Sequence, residues 1–276
     1  MADWTDERII DEARKWRWRP PGTEVVSRQG FDLALYPKSW NENFVEAKFL
    51  PNQNPDVLVE EVLRAASQLR LSKLAWRVSS SPDSLELERV LEDAGFVADK
   101  MDELLVWELG EGPAPILPVP VVSGEVIVEQ VTNFGHYRAA RRVEAAAFGH
   151  RMPSEDELEE GWSLETAGPE DASKTGRFLS RIGNVPISTG GLTMSDDVVR
   201  LWGAGTHPAC RGKGGYKAMT IARMSEGHQR GATIAIVNAR TGTSRPILRR
   251  MGFRLVSLTK EYELRIGSLR PPSSPG

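Results

Sequence analysis

The chain has 276 residues, 40% of them hydrophobic, and its 35 basic and 38 acidic side chains leave a net charge of -3. That length suits one large or two modest globular domains, and the balanced charge gives no sign of a strongly basic nucleic-acid-binding surface. A single cysteine excludes an internal disulfide framework, and no apolar stretch reaches membrane length. We therefore expect a cytoplasmic protein that binds neither nucleic acid nor membrane.

The first 109 residues are predicted to alternate between short strands and helices. Residues 5–18 carry apolar side chains at helical spacing before the Pro20-Pro21-Gly22 break, which indicates an opening helix. A turn at 51–55, with proline at both ends, precedes the next helix. The other predicted strands cover 24–26, 31–36, 44–50, 74–78 and 104–109, and the other predicted helices cover 57–69 and 85–94.

A proline-rich stretch then divides the chain. The closely spaced prolines of residues 113–120 favour extended, semi-rigid backbone, and we assign residues 116–124 as a linker. The predicted domains are therefore 1–115 and 125–266, and residues 267–276 are predicted to be a disordered tail.

The second half opens with a predicted strand and two helices. The strand covers 125–131 and the helices cover 137–148 and 154–164, the latter starting with the capping-box spacing of Ser154 and Glu157. A hairpin over 175–182 and 185–194 follows, and it feeds the strand that precedes the most informative part of the sequence.

That part is a glycine-rich loop over 205–216. The residues before it, 198–203, are bulky or β-branched enough for a strand, and the pattern of 217–230 predicts a helix. The first turn of a helix points unpaired backbone N–H groups and the positive end of the helix dipole at the preceding loop. The loop is therefore a candidate anion site.

The side chains of the loop fit that interpretation. Gly212, Gly214 and Gly215 leave room for the close approach of a pyrophosphate, and Arg211 and Lys213 add positive charge. A glycine-rich turn with two solvated cations fits the loop equally well, because a short glycine cluster is a weak motif.

The residues after the loop helix favour the binding interpretation. An apolar run at 233–237 predicts a buried strand. Thr243 or Ser244 can cap a short helix that has Pro246 in its first turn and stops at Gly252. Phe253 then opens the last strand.

This order of elements, with Thr206-His207-Pro208, Arg211-Gly212-Lys213-Gly214 and the segment from Pro246 to Phe253, resembles the GNAT superfamily of acyl-CoA-dependent N-acyltransferases over roughly residues 125–266. The resemblance implies an α/β (α+β) fold in which a mixed, mostly antiparallel twisted sheet is flanked by helices. It also implies that the strand at 204–206 splays from its neighbour, so that backbone groups pair with the pantetheine arm of acetyl-CoA, the acyl donor, and one backbone N–H polarises the thioester carbonyl. The cofactor-binding residues that it implies are Gly205, Thr206, His207, Arg211, Gly212, Lys213, Gly214, Gly215 and Tyr216.

Two positions depart from the family pattern. The cofactor signature ends in Gly or Ala, and this chain has Tyr216 there, whose ring must find room against the cofactor or the core. The family often has a tyrosine four residues before the Gly-Phe pair as general acid for the departing thiolate, and this chain has Leu248. The acid is therefore missing or lies elsewhere.

The first half repeats the order of the second. Residues 90–96 align with 247–253, each at a helix end followed by a strand, although a shared C-cap glycine accounts for the likeness as well. The first half has the turn at 51–55 where the second has its glycine loop, and prolines donate no N–H. We therefore expect a tandem of two GNAT-like domains in which the first is degenerate, and one CoA per chain.

Acyl transfer to an amine needs a neutral nucleophile, a donor for the developing oxyanion and a proton for the leaving thiolate. His150, in the loop that the family places over the acceptor, is a candidate general base, since histidine titrates near neutrality. Glu144 is the second candidate. For each of them, a solvated surface residue is the interpretation that the sequence favours.

The remaining histidines and the cysteine suggest no further chemistry. His136 and His228 lack metal-ligand spacing, and the lone Cys210 is typical of an incidental thiol. We expect no metal, and an N-acetyltransferase acting on a primary amine of a small molecule or a protein. The alternative is an inactive CoA-binding regulatory or scaffold module, which Leu248 favours, and a homodimer is left open.

Overall fold

The computed structural model of the protein describes residues 4–15, 19, 22–36, 43–47, 53–79, 84–110, 126–166 and 175–266. The predicted linker at 116–124, the predicted tail at 267–276 and residues 51–52 of the predicted turn lie outside these ranges. None of the described helices is long and apolar enough to cross a membrane.

The described residues form two consecutive sets of elements. The first set is α1 (Asp6–Lys15), β1 (Glu24–Arg28), β2 (Phe31–Leu35), β3 (Asn43–Ala47), α2 (Pro55–Gln68), β4 (Lys73–Ser79), α3 (Ser84–Asp93) and β5 (Val97–Glu108). The second set is β6 (Val126–Gln130), α4 (Phe134–Phe148), α5 (Glu155–Thr166), β7 (Thr175–Ile182), β8 (Val185–Ser195), β9 (Val198–Thr206), α6 (Gly215–Gln229), β10 (Ile234–Arg240), α7 (Ser244–Met251) and β11 (Arg254–Arg265).

The two sets share one order of elements. The series β1-β2-β3-α2-β4-α3-β5 recurs as β7-β8-β9-α6-β10-α7-β11. In each series the first three strands pair antiparallel, and the third pairs in parallel with the fourth. Among the described residues, the second series alone is preceded by a strand and two helices, β6-α4-α5. The predicted mixed, mostly antiparallel sheets and the internal repeat are confirmed.

The division into compact units does not follow the predicted boundaries. The C-terminal unit comprises Met1–Ile9 and Leu104–Val256, and the N-terminal unit comprises Ile10–Glu103 and Ser257–Gly276. The domains 1–115 and 125–266 stay predictions, and the division into compact units falls inside β5 and β11. Backbone pairing is the reason, since β11 from Thr259 to Arg265 pairs antiparallel with β4 of the N-terminal unit.

The C-terminal unit holds the glycine loop. Its strands are hydrogen-bonded in the order β5-β10-β9-β8-β7-β6, and α6 packs against β8 and β9. The opening residues of the chain join this unit through a hydrogen bond of 3.0 Å from Trp4 Nε1 to Thr233 Oγ1 and an ion pair of 3.2 Å between Arg8 and Asp197. Its core side chains are buried and include Leu105, Leu192, Val199, Met219, Leu248 and Phe253.

The N-terminal unit has its own core around β4, which lies between β3 and β11. Trp76 is fully buried there and meets the ring of Phe96 edge-on at a centroid distance of 6.3 Å. These two side chains therefore belong to the core of this unit.

Among the element boundaries that differ from the sequence prediction are the starts of β5, α4 and α6. The strand β5 begins at Val97 rather than at residue 104, because its first half is exposed and mixes apolar and polar side chains without regular alternation. Helix α4 begins at Phe134, three residues early, with the Asn133 side chain accepting from His136 N as its N-cap. Helix α6 begins at Gly215 rather than at residue 217.

Candidate functional site

Strands β9 and β10 separate beside the glycine loop. Their parallel pairing runs from Val198 and Ile234 to Leu201 and Val237, whereas β9 continues to residue 206 and β10 to residue 240. Their last residues thus lie beyond the paired region. The family resemblance implies a splay at this place, and the backbone between the two strand ends is available to a ligand that pairs as a strand would.

A β-bulge in β9 lies at the start of the separation. Thr189 pairs with Gly205 and Gly191 pairs with Trp202, so β9 has one residue more than β8 between these pairs. Gly203 within the bulge has a φ of +60°, which glycine adopts without the steric strain that a Cβ brings. The extra residue turns β9 out of the regular ladder at the point where it leaves β10.

The glycine loop ends at an uncapped helix start. Its N-cap residue Gly214 has φ 84° and ψ -7° and offers no side-chain oxygen to the first amides of α6. Those N–H groups therefore point into the loop with the positive end of the helix dipole. Arg211 and Lys213 are exposed on the same loop. The arrangement suits a dianionic pyrophosphate.

Other predicted cofactor residues lie near the start of β8. The hydroxyls of Thr206 and Ser188 lie 2.8 Å apart, and a Cβ on Gly215 would come within 2.6 Å of the Ser188 hydroxyl. The ring Nδ1 of His207 accepts from Ala209 N at 3.3 Å. This bond caps the short 3-10 turn that leads into the loop.

The ring of Tyr216 lies in the core. It packs among the apolar side chains of the C-terminal unit, and its hydroxyl is hydrogen-bonded to Ser244. Burial raises the pKa of Tyr216. Ser244 Oγ in turn accepts from Arg240 N at 3.1 Å, so it tethers the end of β10 rather than capping α7 as predicted. The departure at Tyr216 thus leaves the helix start clear.

The second departure, at Leu248, is also explained by the core. Leu248 is only 1% exposed and packs with Met219 and Phe253. A hydrocarbon side chain in this position donates no proton, so any general acid lies on another residue.

The matching helix start in the N-terminal unit is closed. The Asn54 side chain accepts from Asp56 N at 2.8 Å and from Val57 N at 3.3 Å, and Pro55 supplies no N–H. The amides that bind phosphate at a helix start are therefore used internally. We expect calorimetric titration with CoA to give one site per chain, and a ratio near two would show a site in the N-terminal unit.

Glu144, a predicted base, lies beside the bulge of β9. A Cβ on Gly203 would stand 4.0 Å from Glu144 Oε1. The other oxygen of Glu144 accepts from Arg141 at 2.7 Å and from Arg177 at 3.3 Å. Arg177 also pairs with Glu165 at 3.1 Å. Glu144 is thus held by two guanidinium groups, and it is placed to orient a cationic or polar acceptor as much as to remove a proton.

His150, the other predicted base, follows α4 and is exposed. Its ring lies 5.8 Å from that of Phe148, and the Arg240 guanidinium stands 5.4 Å from the Phe148 centroid. Phe148 also lies against β9, because a Cβ on Gly205 would come within 3.3 Å of its ring. Phe148 thus joins the ends of α4, β9 and β10, and it brings His150 to the rim of the separation.

One cluster of carboxylates could formally hold a cation. Within the described ranges, only Asp99, Glu261 and Glu263 of the N-terminal unit bring three possible ligand atoms within 4.8 Å of one another. Lys100 pairs with all three at 2.9–3.7 Å, and Arg77 pairs with Glu261 at 2.8 Å. Ion pairing accounts for this cluster, and the absence of a metal stays a prediction.

Sequence reasoning missed three buried arginines, Arg177, Arg200 and Arg223, which are 6%, 4% and 1% exposed. Arg223 follows the buried Met219 by four residues and precedes the buried Gly227 by four, so it lies on the apolar stripe of α6. This placement of Arg223 was the sequence signal that could have revealed its burial, because a charged residue on a buried helix face needs a specific partner.

No protein-family model and no curated protein matches the chain. Solved structures do match it. A tandem GNAT protein from the clavulanic acid biosynthesis pathway is 14% identical with a TM-score of 0.67, covering 95% of this chain and 89% of that one. A GCN5-related N-acetyltransferase from Kribbella flavida is 21% identical with a TM-score of 0.65, covering 87% and 89%. One from Sphaerobacter thermophilus is 16% identical with a TM-score of 0.65, covering 95% and 86%.

At these identities the likeness shows the fold. The protein has the fold of the GCN5-related N-acetyltransferases, in a tandem arrangement. The predicted fold class and the tandem of GNAT-like domains are thereby confirmed.

Proposed function

We propose that the C-terminal unit is an acyl-CoA-dependent N-acyltransferase, which moves an acetyl group from acetyl-CoA to a primary amine by direct attack. The observation that carries this proposal is that one unit combines the separated ends of β9 and β10 with the uncapped helix start at Gly214. The fold, shared with structures described as N-acetyltransferases, supports the same class of reaction.

The residues present fit a CoA molecule. The first amides of α6, together with Arg211 and Lys213, would hold the pyrophosphate, while Gly214 and Gly215 keep side chains out of its path. The backbone ends of β9 and β10 would pair with the amides of the pantetheine arm. CoA supplies the thioester, and the protein supplies position and hydrogen-bond donors.

The acceptor would reach the thioester from the side of α4 and α5. The amine nitrogen, once neutral, attacks the thioester carbon, the C–S bond breaks, and the thiolate takes up a proton. Glu144 lies beside the bulge and His150 lies at the rim, so these two side chains are the candidates for the proton transfer from the ammonium group. The acceptor would be a small molecule or a protein amine.

Turnover tests the proposal directly. The full chain is incubated with acetyl-CoA and a panel of primary amines, free thiol is measured, and acetylated products are identified by mass spectrometry. Thiol release that depends on a particular amine supports the acyltransferase. Tight CoA binding without turnover on any amine would favour the inactive binding module, for which the buried Leu248 is the argument.

The pH dependence of turnover distinguishes the two candidate bases. If His150 accepts the proton, the rate falls on the acidic side as the imidazole becomes protonated, and His150→Gln removes that limb and lowers the rate by about a hundredfold. Glu144→Gln is the matched comparison. If the rate of both variants still falls at acidic pH as in the wild type, the group that titrates would be the amine substrate or a water chain.

A further inference from the structure

The guanidinium of Arg223 lies buried beneath the bulge of β9. It is 1% exposed and donates to the carbonyl oxygen of Gly191 at 2.9 Å and to that of Trp202 at 3.3 Å. It also donates to Met219 O and Thr220 Oγ1 within its own helix. All four acceptors are neutral, and no carboxylate among the described residues is recorded as its partner.

A buried charge without an opposite charge is expensive, which sets Arg223 apart from the ion-paired Arg177. Burial lowers the pKa of Arg223 to about 10, so the guanidinium stays charged at neutral pH. A neutral side chain could fill the same space at less expense. The charge therefore calls for an explanation beyond packing.

The geometry of the Trp202–Gly203 peptide offers one. Arg223 bridges carbonyls of β8 and β9, so the Trp202 carbonyl points toward the β8 side of β9. No peptide bond of the described chain is cis, and in a trans peptide the N–H points opposite to the C=O. The N–H of Gly203 therefore points toward the β10 side, where pairing with β10 has already ended.

A hydrogen bond from a charged donor to a peptide oxygen also polarises the N–H of the same peptide. We propose that Arg223 is a positioning residue, which holds and polarises the Trp202–Gly203 peptide so that its N–H donates to the carbonyl oxygen of a bound acyl thioester. This inference rests on the proposed acyl transfer. It assigns Arg223 the stabilisation of the oxyanion that forms when the amine attacks.

The vibration of the thioester carbonyl tests the inference without a known acceptor. Infrared difference spectra are recorded for acetyl-CoA, 13C-labelled at the carbonyl, free and bound to the full chain. In the wild type we expect the bound band at lower wavenumber than the free band. In Arg223→Met the band should return toward the free position, while CoA affinity changes by no more than about threefold, because the pyrophosphate loop is untouched.

Arg230→Met is the matched control, since it removes a guanidinium from the other end of α6 and should leave the band unshifted from the wild type. If Arg223→Met does not fold, Arg223→Gln is used instead, since it keeps a hydrogen-bond donor without the charge. Its carbonyl band should shift less on binding than the band of the wild type. Once an acceptor is known, Arg223→Met should lower kcat by about a hundredfold with little change in KM for acetyl-CoA.

The failures are distinguishable. A wild-type chain that binds no acetyl-CoA contradicts the proposed function itself. Two results would overturn the role of Arg223 and leave the proposed function standing. One is a wild-type carbonyl band that does not shift when acetyl-CoA binds. The other is a folded Arg223→Met or Arg223→Gln variant whose band shifts as far as that of the wild type.

Discussion

Gly214→Glu is expected to lower CoA affinity on the order of a thousandfold while the protein stays folded. The new carboxylate would stand at the helix start that is proposed to bind the pyrophosphate, and two like charges about 4 Å apart repel by about 4 kcal/mol at the effective dielectric of a protein surface. The φ of 84° at this position adds backbone strain of about 1–2 kcal/mol, which a chain of this size tolerates. Calorimetric titration with CoA measures the loss.

Two control variants separate charge from strain. Gly231→Glu places the same side chain at a left-handed position, with φ +98° and open space around the added Cβ, at the far end of the same helix. Gly214→Asn keeps the site neutral with a residue that adopts left-handed backbone more readily than most. Both controls should retain CoA affinity within about tenfold of the wild type. Equal affinity in folded Gly214→Glu would contradict the pyrophosphate site.

The glycine loop could be predicted from the sequence because all its determinants are local. The glycines, the cations and the strand and helix patterns on either side all lie within residues 198–230. The capping box of α5 is local in the same way, and the structure has both its bonds, from Ser154 N to Glu157 Oε2 and from Glu157 N to Ser154 Oγ. Short-range geometry decides such features before any tertiary contact forms.

The features that the sequence concealed depend on partners far along the chain. The first half of β5 is exposed and has no regular apolar alternation, and its identity as a strand comes from pairing with β11, more than 140 residues away. The division into compact units also falls within β5 and β11, so it depends on the same pairing between distant parts of the chain. Tyr216 was ambiguous because its destination depends on Ser244 of another helix, and no spacing rule relates the two positions.

The charge network around Glu144 was concealed for the same reason, and its stability role yields the second prediction. Arg177→Met should destabilise the C-terminal unit by about 3 kcal/mol, since it leaves the half-buried carboxylates of Glu144 and Glu165 without their shared cation. Burial alone would lower the pKa of Arg177, but the two carboxylates more than offset it, and the pKa is raised. Urea denaturation of the full chain measures the shift in midpoint.

Arg181→Met is the matched control, because Arg181 lies on the same strand and its ion pair with Glu129 joins side chains that are 27% and 23% exposed. Removing a more accessible pair should change stability by about 1 kcal/mol or less. The loss from Arg177→Met should also shrink when Glu144→Gln and Glu165→Gln are already present, since fewer charges are then left uncompensated. Equal losses of unfolding free energy from Arg177→Met and Arg181→Met would mean that Arg177 stabilises the unit no more than a surface cation does. The position of Glu144 beside Gly203 would then be due to the packing of α4.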